Sequence, residues 1–236
     1  MTGLDAARNG AINVSSGRGL LRPEVPIIAN FFGDAGYETG LFGKWHLGSN
    51  YPFRPEDRGF DQTVWFPSSH IGSVPDYWGN DYFDDTYVNN GKWKKYKGYC
   101  TDVFFEEAMD FATAHKDEPF FTYIACNAPH SPFNVANRYS DRYTEATSYL
   151  GEAGNDRANF YGMVTCIDDN VQRMRDHLQK LGVLQDTIFV RPFTHGLLTV
   201  LGGRACYVVS VVHKRRCGTL PALTRPCCWR VTLRFS

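Results

Sequence analysis

Two apolar runs rich in β-formers, PFFTYIAC (Pro119 to Cys126) and TIFV (Thr187 to Val190), bracket a long stretch of helical period. From Ala158 to Leu181 the apolar positions Tyr161, Val164, Ile167, Val171, Met174, Leu178 and Leu181 form one stripe, and Gly182 suits the C-terminal cap. Runs without polar alternation belong to strands buried on both faces, which need helices on both sides. Upstream, Pro26 to Ala35 repeats the helical spacing, with Gly36 behind it, and Tyr37 to Trp45 reads as a short strand. Asp102 can cap a further helix that runs through His115, with Val103, Phe104, Ala108, Phe111 and Ala112 facing inward. This alternation predicts an α/β domain with a mostly parallel central sheet flanked by helices. Ligands of such sheets sit beyond the carboxyl ends of the strands.

A chain of 236 residues suffices for one full-sized domain. Residues 49–100, rich in Gly, Pro, Asn, Asp and aromatics, show no sustained period and read as a long irregular excursion that walls a pocket. Its aromatics between Tyr77 and Tyr99 suit either sugar stacking or packing on the sheet. No apolar run is long enough to span a membrane. The opening MTGLDAARNGAINVSSGRG lacks the apolar centre of a signal peptide, so the chain is expected to be cytosolic or to start further upstream.

The formal charge of zero hides a division. All 25 acidic residues and 17 Lys+Arg lie before Thr187, a balance of −8, while the last fifty residues hold eight Lys+Arg and no acid, a balance of +8. The tail therefore reads as sequence of a different kind. Its cysteines, Cys206, Cys217, Cys227 and Cys228, include no C-x-x-C pair and fit structural zinc poorly. Its basic run VVHKRRCG has no recognisable nucleic-acid-binding fold around it, so no nucleic-acid partner is expected. Residues 191–236 are expected not to dock on the domain.

Chemistry concentrates in two segments that follow strands. In GYETGLFGKWHLG (Gly36 to Gly48), extended backbone would place Lys44 and His46 on one face and Trp45 on the other, an arrangement suited to gripping an anion. In NAPHSPF (Asn127 to Phe133), His130 sits between two prolines in a loop that resists helix formation.

The first of these resembles the second sulfatase signature, G-Y-x-T-x-x-x-G-K-W-H-L-G, at every fixed position. RPEDRGFD (Arg54 to Asp61) is similar to the R-G-F-D turn of that family, and NAPHSPF to its A-P-H-x-P-F loop. YGMVTCIDDNVQRM resembles the helix that follows in these enzymes, and the likeness runs from residue 1 to about residue 190. It implies a partial alkaline-phosphatase-like domain over residues 1–190, followed by a tail of non-family sequence. It also implies hydrolysis of aryl or carbohydrate sulfate monoesters, with calcium and a formylglycine made from Cys or Ser in C-x-P-S-R. Carried over by motif, Lys44 would contact the substrate sulfate and the formylglycine. His46 would hydrogen-bond the formylglycine hydroxyl, and His130 would contact sulfate and protonate the leaving oxygen. The family location would be periplasmic or extracellular.

Departures accompany the likeness. Met1-Thr2-Gly3 aligns with the end of the nucleophile motif, so the modified residue and the early metal-binding Asp pair would lie before residue 1. Asp84-Asp85 and Asp168-Asp169 read as loop and helix acids, so no metal ligand is assigned. Where the family carries F-[ST]-S-D-[NH]-G, this chain has RPFTHG (Arg191 to Gly196), without the aspartate. Two other readings stay open: a non-catalytic remnant, and a phosphomonoester or phosphonate hydrolase of the same superfamily.

Overall fold

The computed structural model describes residues 1–12, 19–190 and 208–214. In chain order its elements are α1 (Ala6–Asn9), α2 (Ile28–Asp34), β1 (Glu38–Lys44), β2 (Gln62–Phe66), β3 (Thr86–Asn89), β4 (Lys92–Lys95), α3 (Cys100–Ala114), β5 (Phe120–Ala125), α4 (Asn137–Thr147), α5 (Ala153–Lys180), β6 (Thr187–Val190) and β7 (Val208–His213). The strands form one sheet in the order β4-β3-β2-β1-β5-β7-β6. β1 pairs in parallel with β2 on one side and β5 on the other. The remaining pairings are antiparallel, so β3 and β7 run against the other strands of a mixed sheet.

Pleating sends neighbouring residues of the central strands to opposite faces. Phe42, Val64, Phe66, Phe120 and Ile124 enter a core shared with Phe104 and Phe111 of α3 and with Ile167, Met174 and Leu178 of α5. Leu41, Trp65 and Phe121 enter a second core with Leu21, Ile27, Ala29, Trp45 and Phe60. The strand predicted around Pro119–Cys126 is therefore covered on both faces, as its composition requires, and so is the short strand predicted over Tyr37–Trp45.

Three local expectations need correction. The excursion over residues 49–100 contains β2, β3 and β4; β2 is largely buried but only five residues long, too short to show a period among its polar neighbours. Asp102 is not the cap of α3, since Tyr99 holds that position. Asp102 instead accepts from Asn170 Nδ2 (2.7 Å) and pairs with Arg173 (3.4 Å), which satisfies an asparagine buried on α5. The buried face of α5 accordingly includes Asn170 and Cys166, while Tyr161 of the predicted stripe is exposed.

The tail also departs from expectation. β7 inserts between β5 and β6, matching Phe120 with His213 and Thr187 with His213 across its two sides. Residues 208–213 are thus docked in the sheet. β6 becomes an edge strand with Ile188 64% exposed and Val190 47% exposed, rather than a strand buried on both faces. The RPFTHG segment, the four tail cysteines and the other tail residues outside 208–214 lie outside the described residues.

The RGFD turn holds the second core to the sheet. Arg58, 4% exposed, donates to the carbonyls of Leu21 (3.0 Å), Arg22 (3.2 Å) and Val25 (2.6 Å). Asp61 accepts from the Thr39 N–H (2.9 Å) and hydroxyl (2.7 Å), tying the turn to β1. Arg58→Met keeps the apolar stem and removes the guanidinium donors to the carbonyls of Leu21, Arg22 and Val25, of which Arg22 O still accepts from the Val25 N–H (3.1 Å). Chemical denaturation should show a loss of about 3 kcal/mol, from three hydrogen bonds at about 1 kcal/mol each.

Candidate active site

β2, β1 and β5 end side by side. The register matches Lys44 with Phe66 and Gly43 with Ala125, so the segments leaving all three strands start at one level. Gly43 is required there. It has φ +115°, and a Cβ on it would collide with the Ala125 carbonyl oxygen and lie 2.7 Å from the carbonyl carbon.

Lys44 is the last residue of β1 and is half-buried. The Trp45 N–H still bonds the Phe66 carbonyl (3.1 Å), and the indole turns into the second core, where its Nε1 donates to Phe53 O (2.8 Å). Because Trp45 anchors on that side, Lys44 stands on the other face of the extended chain. His46 follows, also half-buried. The tryptophan thus acts as the fixing point of the segment.

His130 leaves β5 by a loop fixed through Asn127. This asparagine is fully buried, and its Oδ1 accepts from the N–H of Ile71 in the loop that leaves β2 (3.1 Å). That bond joins the exits of the two strands flanking β1. It brings His70 against His130, their rings stacked at 5.0 Å and 11°. His130 is 5% exposed, and its Nδ1 lies 2.6 Å from the Ser131 carbonyl. A carbonyl can only accept, so Nδ1 carries a hydrogen and Nε2 is the nitrogen left to exchange a proton. The Tyr82 hydroxyl donates to the His130 carbonyl (3.5 Å), and Ser69 Oγ lies 3.0 Å from His70 Nδ1.

Of the residues expected from sequence, Lys44 and His46 fall at the carboxyl end of β1 and His130 falls beyond β5 on the same side of the sheet. His70 was not expected. Its only signal was its position four residues beyond QTVWF, a strand concealed in the excursion.

The same residues offer no cage for calcium. Among the described residues, the group able to place three ligand atoms within 4.8 Å of one another is Glu38, His115 and Glu118. Glu38 opens β1 and Glu118 precedes β5, so the group lies at the opposite end of the sheet. A calcium site needs six to eight oxygens, more than this group supplies. The described thiols are poor nucleophiles. Cys100, Cys126 and Cys166 are all buried, and burial pushes Cys100 far up and Cys166 up to about 12.

The wall beyond His70 carries an acid whose titration can be followed. Asp76 accepts from Gly72 N (2.8 Å), Tyr77 N (2.8 Å) and Asn80 Nδ2 (3.1 Å), yet burial outweighs these donors and raises it to about 6. The folded state therefore binds this proton before the unfolded chain does, and stability tied to Asp76 rises as pH falls from above 6 toward 4. Measured against Asp76→Asn by thermal melting, the wild type should gain up to about 3 kcal/mol between neutral pH and about pH 4.

The Sulfatase family model matches residues 1–191. N-acetylgalactosamine-6-sulfatase of Mus musculus is 32% identical over 167 residues, covering 65% of this chain and 29% of that protein. The uncharacterized sulfatase YdeN of Escherichia coli (strain K12) is 27% identical over 216 residues, covering 80% of this chain and 36% of that protein. This chain thus spans about a third of the length of these relatives. The crystal structure of Ps i-CgsB in complex with k-i-k-neocarrahexaose aligns with TM-score 0.69 at 23% identity, covering 90% of this chain and 53% of that one. BT4656 in complex with D-glucosamine-2-N,6-O-disulfate aligns with TM-score 0.63 at 18% identity, covering 91% of this chain and 60% of that one. With its signature lysine and histidines at the carboxyl ends of the central strands, the chain belongs to the sulfatase family and has its alkaline-phosphatase-like α/β fold.

Proposed function

We propose that this chain carries the anion-binding and proton-donating part of a sulfuric ester hydrolase for carbohydrate or aryl sulfates. The observation that carries the reading is the convergence of Lys44, His46, His70 and His130 on the ends of three adjacent parallel strands. Lys44 supplies a fixed cation to a sulfate oxygen. As the S–O bond breaks, negative charge builds on the bridging oxygen, and a proton from His130 Nε2 removes it. Both interactions favour the transition state over the ground state. His46 stands beside Lys44 and stabilises the group that attacks sulfur.

In this family the attacking oxygen comes from formylglycine, and its C-x-P-S-R motif is not found in these 236 residues. Calcium, when bound, would offset charge on the sulfate, with ligands other than those described. Carbohydrate substrates are supported by the N-acetylgalactosamine-6-sulfatase relatives. An enzyme for sulfated glycans would meet them in the periplasm or outside the cell. The buried thiols and the distant Glu38-His115-Glu118 group favour a second reading for the isolated polypeptide: it binds sulfate esters without turning them over.

Calorimetry should detect a sulfated monosaccharide binding to the chain, and Lys44→Ala should weaken it by about tenfold or more. No release of nitrophenol from an aryl sulfate is expected. Absence of sulfate-ester binding, or equal binding by Lys44→Ala, contradicts the site; turnover that follows the purified protein contradicts the second reading. In an enzyme completed with a C-x-P-S-R segment, Lys44→Ala and His130→Ala should each lower kcat by on the order of 10²-fold.

A further inference from the structure

Glu38, His115 and Glu118 come from three separate pieces of the chain: the first residue of β1, the residue that closes α3, and the turn just before β5. One ligand atom from each lies within 4.8 Å of the other two. Glu38 and His115 are half-buried, and Glu118 is exposed. A helix-end ion pair would account for two of them, since His115 and Glu118 are three residues apart at the C-terminus of α3. Glu38 falls outside that account. It adds a second carboxylate where a single imidazole can neutralise only one.

Packing brings Glu38 to the pair. It lies on the face of β1 that carries Phe42, and Phe42 packs on Phe111 of α3 with 5.8 Å between ring centroids. Gly40, between Glu38 and Phe42, leaves room for that contact, since a Cβ on it would stand 3.2 Å from the Phe111 ring. His115 follows Phe111 by one helical turn, toward the start of β1, and its imidazole rests on that ring (4.6 Å, 46°). The backbones are held as well: the Glu118 N–H donates to the His115 carbonyl (2.9 Å), and the Glu38 N–H to the Pro119 carbonyl (3.0 Å).

The spacing of the donor atoms says what they suit. His115 Nδ1 and Glu118 Oε2 stand 3.7 Å apart, too far for a hydrogen bond. Ligand atoms around a tetrahedral ion with bonds of about 2.1 Å are separated by about 3.4 Å. Among the described residues, neither Glu38 nor Glu118 pairs with a lysine or arginine, and the neighbouring Lys116 reaches Asp117 instead (3.6 Å). Two carboxylates and an imidazole therefore converge without a cation between them. One nitrogen and two carboxylate oxygens suit zinc and similar first-row ions better than calcium.

We propose that Glu38, His115 and Glu118 form a binding site for a zinc-like divalent ion that ties the end of α3 to the starts of β1 and β5. The imidazole nitrogen and one oxygen from each carboxylate take three positions, and water takes the fourth. Six residues of strand, about 20 Å, separate Glu38 from Lys44, so the ion touches no reacting group. Its binding energy goes into holding the three elements together.

The test titrates the full chain, stripped with chelator, with zinc chloride. Calorimetry, thermal melting and histidine-selective nuclear magnetic resonance follow the wild type, Glu38→Gln, His115→Ala and Glu118→Gln. Zinc at about a hundred times its Kd should raise the wild-type melting temperature by about 5 °C or more, and should move the His115 ring signal along the binding curve. Each variant should bind zinc about a hundredfold more weakly and lose the melting shift. Glu118→Gln changes an exposed side chain and should melt like the wild type without metal, so its lost response reports the site rather than the fold. Absence of zinc binding, binding that leaves the His115 ring unmoved, or binding that Glu118→Gln retains in full overturns the site. The last two results would assign the zinc to other histidines or to the tail cysteines.

Discussion

The backbone contact between Gly43 and Ala125 is the constraint on which the site depends. It lets β1 lie against β5 where any side chain would collide, while β2 holds the other side of β1 in parallel register. Three strand ends then stand at one level, and the segments leaving the outer two must cross near the end of the middle one. The buried Asn127 Oδ1 bond to Ile71 fixes that crossing, and stacking of His70 on His130 follows from it. Lys44 needs no special device beyond being the last residue of the strand between them.

Much of the family motif serves this geometry. Trp45 anchors the segment between Lys44 and His46 in the second core. Thr39 and Asp61, from two separate motifs, are hydrogen-bond partners, and Arg58 clamps the segment from Leu21 to Val25 against the turn. Phe60 of the same turn packs edge-on to Trp45 (6.2 Å, 83°). Charge and imidazole are thus placed on a backbone whose position is fixed by buried groups, as the proposed sulfate-ester site requires.

What sequence reading recovers is what leaves a periodic or compositional trace. The buried strand around Phe120–Ala125 and the helices over Cys100–Ala114 and Ala153–Lys180 announce themselves by unbroken apolar character or helical spacing. The segments carrying Lys44 with His46 and His130 follow strands as expected, while the roles given to these residues come from motif resemblance. β2 escapes because five residues between polar turns carry too little period, and with it escapes His70. The docking of Val208–His213 escapes because the charge break near residue 187 suggests unrelated sequence, whereas a short β-branched run needs only unpaired strands on either side to join a sheet. Asp102 shows the complementary failure: its helix-capping chemistry is genuine, but a buried asparagine competes for the carboxylate.

Convergence of the four basic side chains on one anion is the central claim, and histidine-selective nuclear magnetic resonance tests it most directly. Titration of the chain with a sulfated monosaccharide should move the ring signals of His46, His70 and His130 together, along one saturation curve that Lys44→Ala weakens. Movement of His130 without His70, or no movement of either at concentrations that saturate binding, would contradict the account.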